Sequence, residues 1–261
     1  MGATSSFDTA LHPLGDPTIG ADGFFVLGMG NDSGDRLRPR CPVCLGALMP
    51  LLGDGRGRFR HVSKEEGDCC PLSTLSYQPD GISVQHMRDA ARERDQRGAF
   101  VANWQRHYQA MRRVVPSMSV RRFIHLVGYA DVMNLWSYPA LEQHDVPYVL
   151  LTLAQFMRAG SMAGKAVWVR FCFDATVRDV GDLWTHEGSQ ARFFRMMYSA
   201  PSDTPFPTSK QLIHYELVKR DTSFLEIPPA YIKRSDVKEF QRFAVTDRKS
   251  ADPERANTGT P

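Results

Sequence analysis

Apolar residues recur at three- and four-residue steps through the middle of the chain and at two-residue steps after it. Phe100, Val101, Trp104, Tyr108, Met111 and Val115 fall on one stripe at about 100° per residue, which predicts a long helix from roughly Ser83 to Val115. Pro116 ends it. Ser119 is placed to cap a second helix whose Val120, Phe123, Ile124 and Val127 share a face. A third helix is expected from Asp145 to Met157, with Pro147 at an early position and apolar groups on nearly every side, the pattern of a buried central helix.

Beyond the glycines Gly160 and Gly164 the period changes to two. Val167, Val169, Phe171 and Phe173 have one parity and Trp168, Arg170 and Cys172 the other, so a strand is predicted, with Thr176 to Val180 continuing it or pairing with it. Arg192 to Tyr198 and Leu212 to Val218 read as two further strands. The expected class is α+β, with an N-terminal zinc-ribbon-like module, central helices over about 83–158 and a mainly antiparallel C-terminal sheet over about 166–218. Four regions follow: a flexible segment 1–23, the module 24–80 opening on a short strand Phe24 to Leu27, an α+β domain 81–246, and a frayed polar tail 247–261. Gly28 to Gly34 looks like a dinucleotide loop, but its glycine spacing is wrong and no amphipathic helix follows.

Composition narrows the class without naming a function. A chain of 261 residues, 42% hydrophobic, can bury a core of its own. The formal charge of +3 is too mild to prove a nucleic-acid partner. No uninterrupted apolar run approaches the roughly 18 residues of a membrane span, and the first residues lack a charged stretch followed by an apolar one. A cytoplasmic protein with reduced thiols and no membrane partner is the expectation.

The sharpest chemical signal is Cys41-x2-Cys44-x16-His61-x7-Cys69-Cys70. A Cys-x-x-Cys knuckle presents two thiolates to one metal, and a second pair of soft ligands arriving after a loop closes a tetrahedron suited to zinc. Gly53 to Gly57 supply turn residues between two arms, and the hairpin would carry His61 back to the knuckle. Neighbouring side chains diverge, so one of the vicinal pair completes the site, and Cys69 is the expected choice: Cys41, Cys44, His61 and Cys69 around a structural zinc ion. With four protein ligands no position stays open for water, so the ion would staple the fold and do no chemistry. The fifth cysteine, Cys172, lies in an apolar run and reads as a core thiol.

Cys41-Pro42-Val43-Cys44, a glycine-bearing turn, Arg58-Phe59-Arg60-His61 and a downstream cysteine resemble the zinc-ribbon segment of competence-protein CoiA-like sequences. The resemblance covers about a seventh of the chain and implies a ribbon placed before a restriction-endonuclease-like region. Downstream this chain departs from that pattern, having no Asp followed by a strand-borne Glu-x-Lys, so nuclease activity is not implied.

The best partner signal is the segment His86 to Arg122, where nine arginines stand against three acids. Arginine forks bind phosphate oxygens bidentately, and Arg106 and Arg113 project from the side of the predicted helix opposite its apolar stripe, as contacts to DNA or RNA would. The competing reading is a solvated helix face with internal ion pairs. No two titratable groups form a recognised catalytic signature. His144-Asp145 lacks the further ligands a metal phosphohydrolase needs and simply precedes a helix, while His186-Glu187 reads as a turn. The leading expectation is a non-enzymatic, zinc-stabilised accessory or regulatory protein working through nucleic-acid or protein contacts. The alternatives are a metal-dependent nuclease or hydrolase using acids such as Asp131, Asp174 or Glu187, and a protein-interaction subunit using a sheet edge or the Phe193-Phe194 face.

Overall fold

Segments distant in sequence pack into two units, each stitched from separate stretches of chain. One joins Met1–Ile82, Phe156–Arg178 and Glu187–Val218; the other joins Ser83–Gln155, Asp179–His186 and Lys219–Pro261. The structure, a computed structural model, describes residues 8–26, 38–53, 56–74, 82–84, 86–162, 164–185 and 190–250. The sequence partition had grouped the later strands with the helices. In the structure they belong with the cysteine segment.

The sheet unit begins with a small hairpin of β1 (Thr9–Leu11) and β2 (Thr18–Gly20), followed by α1 (Ala21–Val26). Residues 8–23, expected to be flexible, are thus built into the fold, and the strand expected at Phe24 is the end of a helix. Phe24 is buried and meets Phe59 edge-on at 6.2 Å, so core packing decides the conformation of a run too short to be read from its period. A second hairpin pairs β3 (Leu48–Gly53) with β4 (Arg56–His61), and α2 (Lys64–Cys69) follows, capped by the Ser63 hydroxyl, which accepts from Glu66 N at 3.1 Å.

The main sheet has four antiparallel strands in sequence order: β5 (Met157–Met162), β6 (Lys165–Phe173), β7 (Phe193–Ser199) and β8 (Leu212–Leu217). Three of these match the alternation of the sequence. β5 was missed because its Gly160, at φ +136°, reads as a loop, whereas it sits at an irregularity in the β5–β6 register. Thr176 to Val180 is not a strand: the Asp174 carboxylate accepts from Thr176 N at 3.1 Å and turns the chain. One core of this unit gathers Cys41, Val43, Leu48, Phe59, Cys70 and Leu72 with Cys172, Phe194, Met196 and Tyr198 from the sheet.

The helical unit contains α3 (Ala90–Ala102), α4 (Trp104–Val114), α5 (Val120–Val132), α6 (Val146–Leu153), the single turn α7 (Asp182–Thr185) and α8 (Arg234–Ser250). The long helix predicted from Ser83 is two helices, because Asn103 leaves helical geometry (φ −111°, ψ 13°) and its side-chain amide donates to Ala99 O at 3.1 Å. The apolar stripe survives the break. Residues 83, 84 and 86–89 are not helical; Ser83 forms a bridge with Asp179 and Asp89 caps α3. As expected, Ser119 caps α5, accepting from Arg122 N at 3.2 Å, and α6 is buried along its whole length. Phe100, Trp104, Phe123 and Phe240 form the aromatic centre, with Trp104 stacked on Phe240 at 4.2 Å. Among the described residues no helix is long and apolar enough to cross a membrane.

Candidate metal centre

Three short elements deliver four ligand atoms to one point. The Cys41–Cys44 knuckle is closed by Leu45 N donating to Cys41 O (3.0 Å) and Cys41 N donating to Gly46 O (2.9 Å), with Leu45 in the left-handed region at φ 61°. Gly46 N also reaches Cys44 Sγ at 3.4 Å, and a side chain at Gly46 would press on both Cys44 Sγ (3.3 Å) and the Glu66 carboxylate (3.0 Å). Next along the chain, Leu48 pairs with His61 in the β3–β4 ladder, which returns the imidazole to the knuckle. At the end of α2, Cys70 leaves the helix in extended conformation (φ −86°, ψ 127°) and turns its sulfur inward.

Cys41, Cys44, His61 and Cys70 lie close enough to hold a metal ion: their ligand atoms are all within 4.8 Å of one another. Cys41 Sγ and Cys70 Sγ are 3.8 Å apart, and Cys44 Sγ is 3.1 Å from His61 Nε2. A tetrahedral ion with metal–sulfur bonds of about 2.3 Å requires sulfur atoms about 3.8 Å apart. The geometry fits a closed four-ligand site.

The imidazole is oriented by its second nitrogen. Ser73 Oγ lies 3.3 Å from His61 Nδ1 and spends its single hydrogen on Gly67 O at 2.7 Å, so it can only accept from Nδ1–H. That tautomer leaves the Nε2 lone pair facing the sulfurs, as a metal ligand requires.

Electrostatics point the same way. Burial, then the neighbouring Cys44, pushes the Cys41 thiol up to about 12. Cys70 is also driven up, first by its contacts with Cys41 and Cys44 and then by burial. Cys44 is held well below the usual thiol range, chiefly because Cys41 and Cys70 donate to it, with His61 adding to the effect. Burial and mutual proximity oppose ionisation of all three sulfurs together, and a divalent ion would remove that opposition.

Cys69, expected as the fourth ligand, is exposed on the last turn of α2 and stands outside the cluster. The signal that separates the two is Pro71: a residue before proline is pushed to extended backbone, so Cys70 has to leave the helix while Cys69 can remain in it. Ser73 was also missed, since nothing in a sequence distinguishes a serine that orients a ligand. Cys172 is a buried core thiol, raised to about 12 by burial.

The other sequence candidates are engaged within their own units. Arg106 donates from Nε to Ile227 O at 3.1 Å and from Nη1 to Asn103 Oδ1 at 2.9 Å, and Arg113 pairs with Asp221 at 2.8 Å. Both lie on one side of α4 and meet the chain that follows the sheet. Asp131 receives Arg97 through two bonds of 2.8 and 3.0 Å together with Trp136 Nε1; Asp174 receives Arg192 Nε and N, each at 3.0 Å. Asp145 bonds Arg220 (2.7 Å) and Trp184 Nε1 (3.0 Å), and His144 stands 3.2 Å from Glu142. The Phe193-Phe194 face, considered as a contact surface, is buried. Glu187, His186 and the Gly28 to Gly34 run lie outside the described residues.

Comparison of the chain with family models, with curated proteins and with solved structures gives no match.

Proposed function

We propose that Cys41, Cys44, His61 and Cys70 hold a structural zinc ion, and that the protein is a zinc-stabilised accessory or regulatory factor acting through contacts with protein or nucleic acid. The observation carrying the first half is the closed set of three sulfurs and one correctly oriented imidazole nitrogen in the sheet unit's core. Three thiolates and an imidazole are the donor set zinc prefers. Enclosure by four protein ligands favours a stabilising ion over a catalytic one.

Within the second half, protein contact is the better supported. Arg106 and Arg113 already serve the chain's own carbonyl and carboxylate groups, which weakens their reading as phosphate contacts. Among the described residues no strand pairs with the outer edge of β8, which carries Ile213 at 46% and Leu217 at 61% exposure. Arginines on both Asp131 and Asp174 make structural service their simpler role than catalysis, and no second reading is favoured.

Metal analysis of freshly purified protein tests the ion, with about one zinc per chain expected; cobalt exchanged into the site should give the visible bands of a tetrahedral thiolate complex. Protein without a bound transition metal defeats the proposal. Oligonucleotide binding that falls steeply with salt and disappears when Arg106 and Arg113 are both changed to alanine would restore the nucleic-acid form of the reading.

A further inference from the structure

Residues 219–233 form neither helix nor strand and run as a strap tied to one side of α4. Arg106 Nε donates to Ile227 O, Gln109 exchanges two bonds with the Ala230 backbone (2.6 and 2.9 Å), and Arg113 pairs with Asp221. Spaced three and four residues apart, these three share one helix face. Asp221 N also donates to the Tyr148 hydroxyl. The strap has a single buried residue, Phe224.

Phe224 packs on an unusual neighbour. Its ring meets the His107 imidazole edge-on at 5.3 Å, while Phe100 of α3 covers His107 from another direction at 4.6 Å. His107 is 0% exposed, and neither ring nitrogen makes a hydrogen bond. Gln143 acts on it: its amide nitrogen donates to Gln96, while its buried Oε1 makes no hydrogen bond and favours a charged ring, an effect that burial outweighs. Charged and titratable groups on the surrounding elements are paired elsewhere or lie exposed. On α3, Arg97 is held by Asp131 and Glu93 by Arg88; on α4, Arg106 and Arg113 hold the strap, Arg112 lies over the Tyr108 ring, and the Tyr108 hydroxyl donates to Met118 O. On the strap, Arg220 pairs with Asp145 and Asp221 with Arg113, and before α6 His144 lies against Glu142. An imidazolium at position 107 would therefore be buried with no anion and with only the Gln143 Oε1 to accept from its two N–H groups.

We propose that His107 and Phe224 form an acid-sensitive latch: the strap stays closed on α4 while the imidazole is neutral, and protonation of His107 expels Phe224 and opens the strap. Opening uncovers the face of α4 bearing Arg106, Gln109 and Arg113. Burial lowers the His107 pKa to about 3 in the closed form, against the ordinary 6.5 once it meets water. The closed form binds the proton less well, so its advantage is complete above the ordinary value and declines as pH falls toward the lower one. Between about pH 7 and about pH 5 the open-to-closed ratio should rise by about 25-fold.

Hydrogen exchange at the strap amides of Asp221, Ser223 and Ala230, corrected for intrinsic rates at each pH, tests this directly. The wild-type chain should show the about 25-fold rise, His107→Phe should show almost none, and His144→Gln should behave as wild type. The latch is overturned if His107→Phe keeps the rise, if His144→Gln removes it, if wild type shows none, or if α4 and α5 open equally with the strap. Should His107→Phe fail to fold, Phe224→Ala answers the same question: its strap should exchange freely at both pH values, with His107 titrating near its ordinary value by NMR. A strap still protected in Phe224→Ala refutes the proposal.

Discussion

Each unit buries a histidine, and the two are treated in opposite ways. His61 of the sheet unit has a partner on each ring nitrogen, Cys44 Sγ on one and Ser73 Oγ on the other. His107 of the helical unit has neither, and aromatic rings enclose it. Burial is nearly equal, so burial does not assign a role. What distinguishes a ligand from a core residue is whether the second nitrogen is held, because that bond sets the tautomer and the direction of the free lone pair. The same contrast extends to the cores. One is organised around sulfur atoms that need a cation to ionise together, the other around stacked rings that need only the exclusion of water.

The comparison breaks most completely at the sulfurs. Cys70→Ser should abolish stoichiometric metal binding and unfold the sheet unit, since the binding energy of a structural zinc is folding energy of the order of 10 kcal/mol, whereas Cys69→Ser should retain both metal and fold. Metal analysis with circular dichroism reads the two together, and equal loss in both variants would contradict the assignment of Cys70. Next, Phe100→Ala removes a fully buried ring of the helical unit and should cost about 3–5 kcal/mol in denaturant unfolding. Metal content should not change, which would show that the two cores can be perturbed separately.

Smaller effects sharpen the distinction. Ser73→Ala leaves all four ligands in place but frees the His61 ring, and should weaken metal affinity by about 10–100-fold in a chelator competition. Unaltered affinity would mean the orienting bond is incidental. Ser119→Ala, which removes only the cap of α5, should lower the stability of the helical unit by about 1 kcal/mol, again without effect on the metal.

How much could be read in advance followed from the range of the interaction involved. The cap at Ser119, the early-helix position of Pro147, the alternation of β6 to β8 and the Cys41–Cys44 knuckle depend on neighbours within a few residues, and each appears in the structure. The break at Asn103 was hidden because the apolar stripe keeps its phase through it, and β5 because a glycine in a register irregularity looks like a loop. The arginine cluster showed its charge, but the partners of the two arginines singled out lie more than 100 residues away, Ile227 for Arg106 and Asp221 for Arg113.

By itself, then, the chain's order of residues determined the ligand types, the spacing that lets a hairpin return His61 to a cysteine knuckle, and the α+β class, all consequences of local geometry and periodicity. Tertiary structure alone decided that Cys70 and not Cys69 faces the site, that one face of the sheet shares a core with the cysteines, and that His107 is enclosed without a hydrogen bond. Those outcomes depend on which distant surfaces exclude water together, and that is a property of the packed chain.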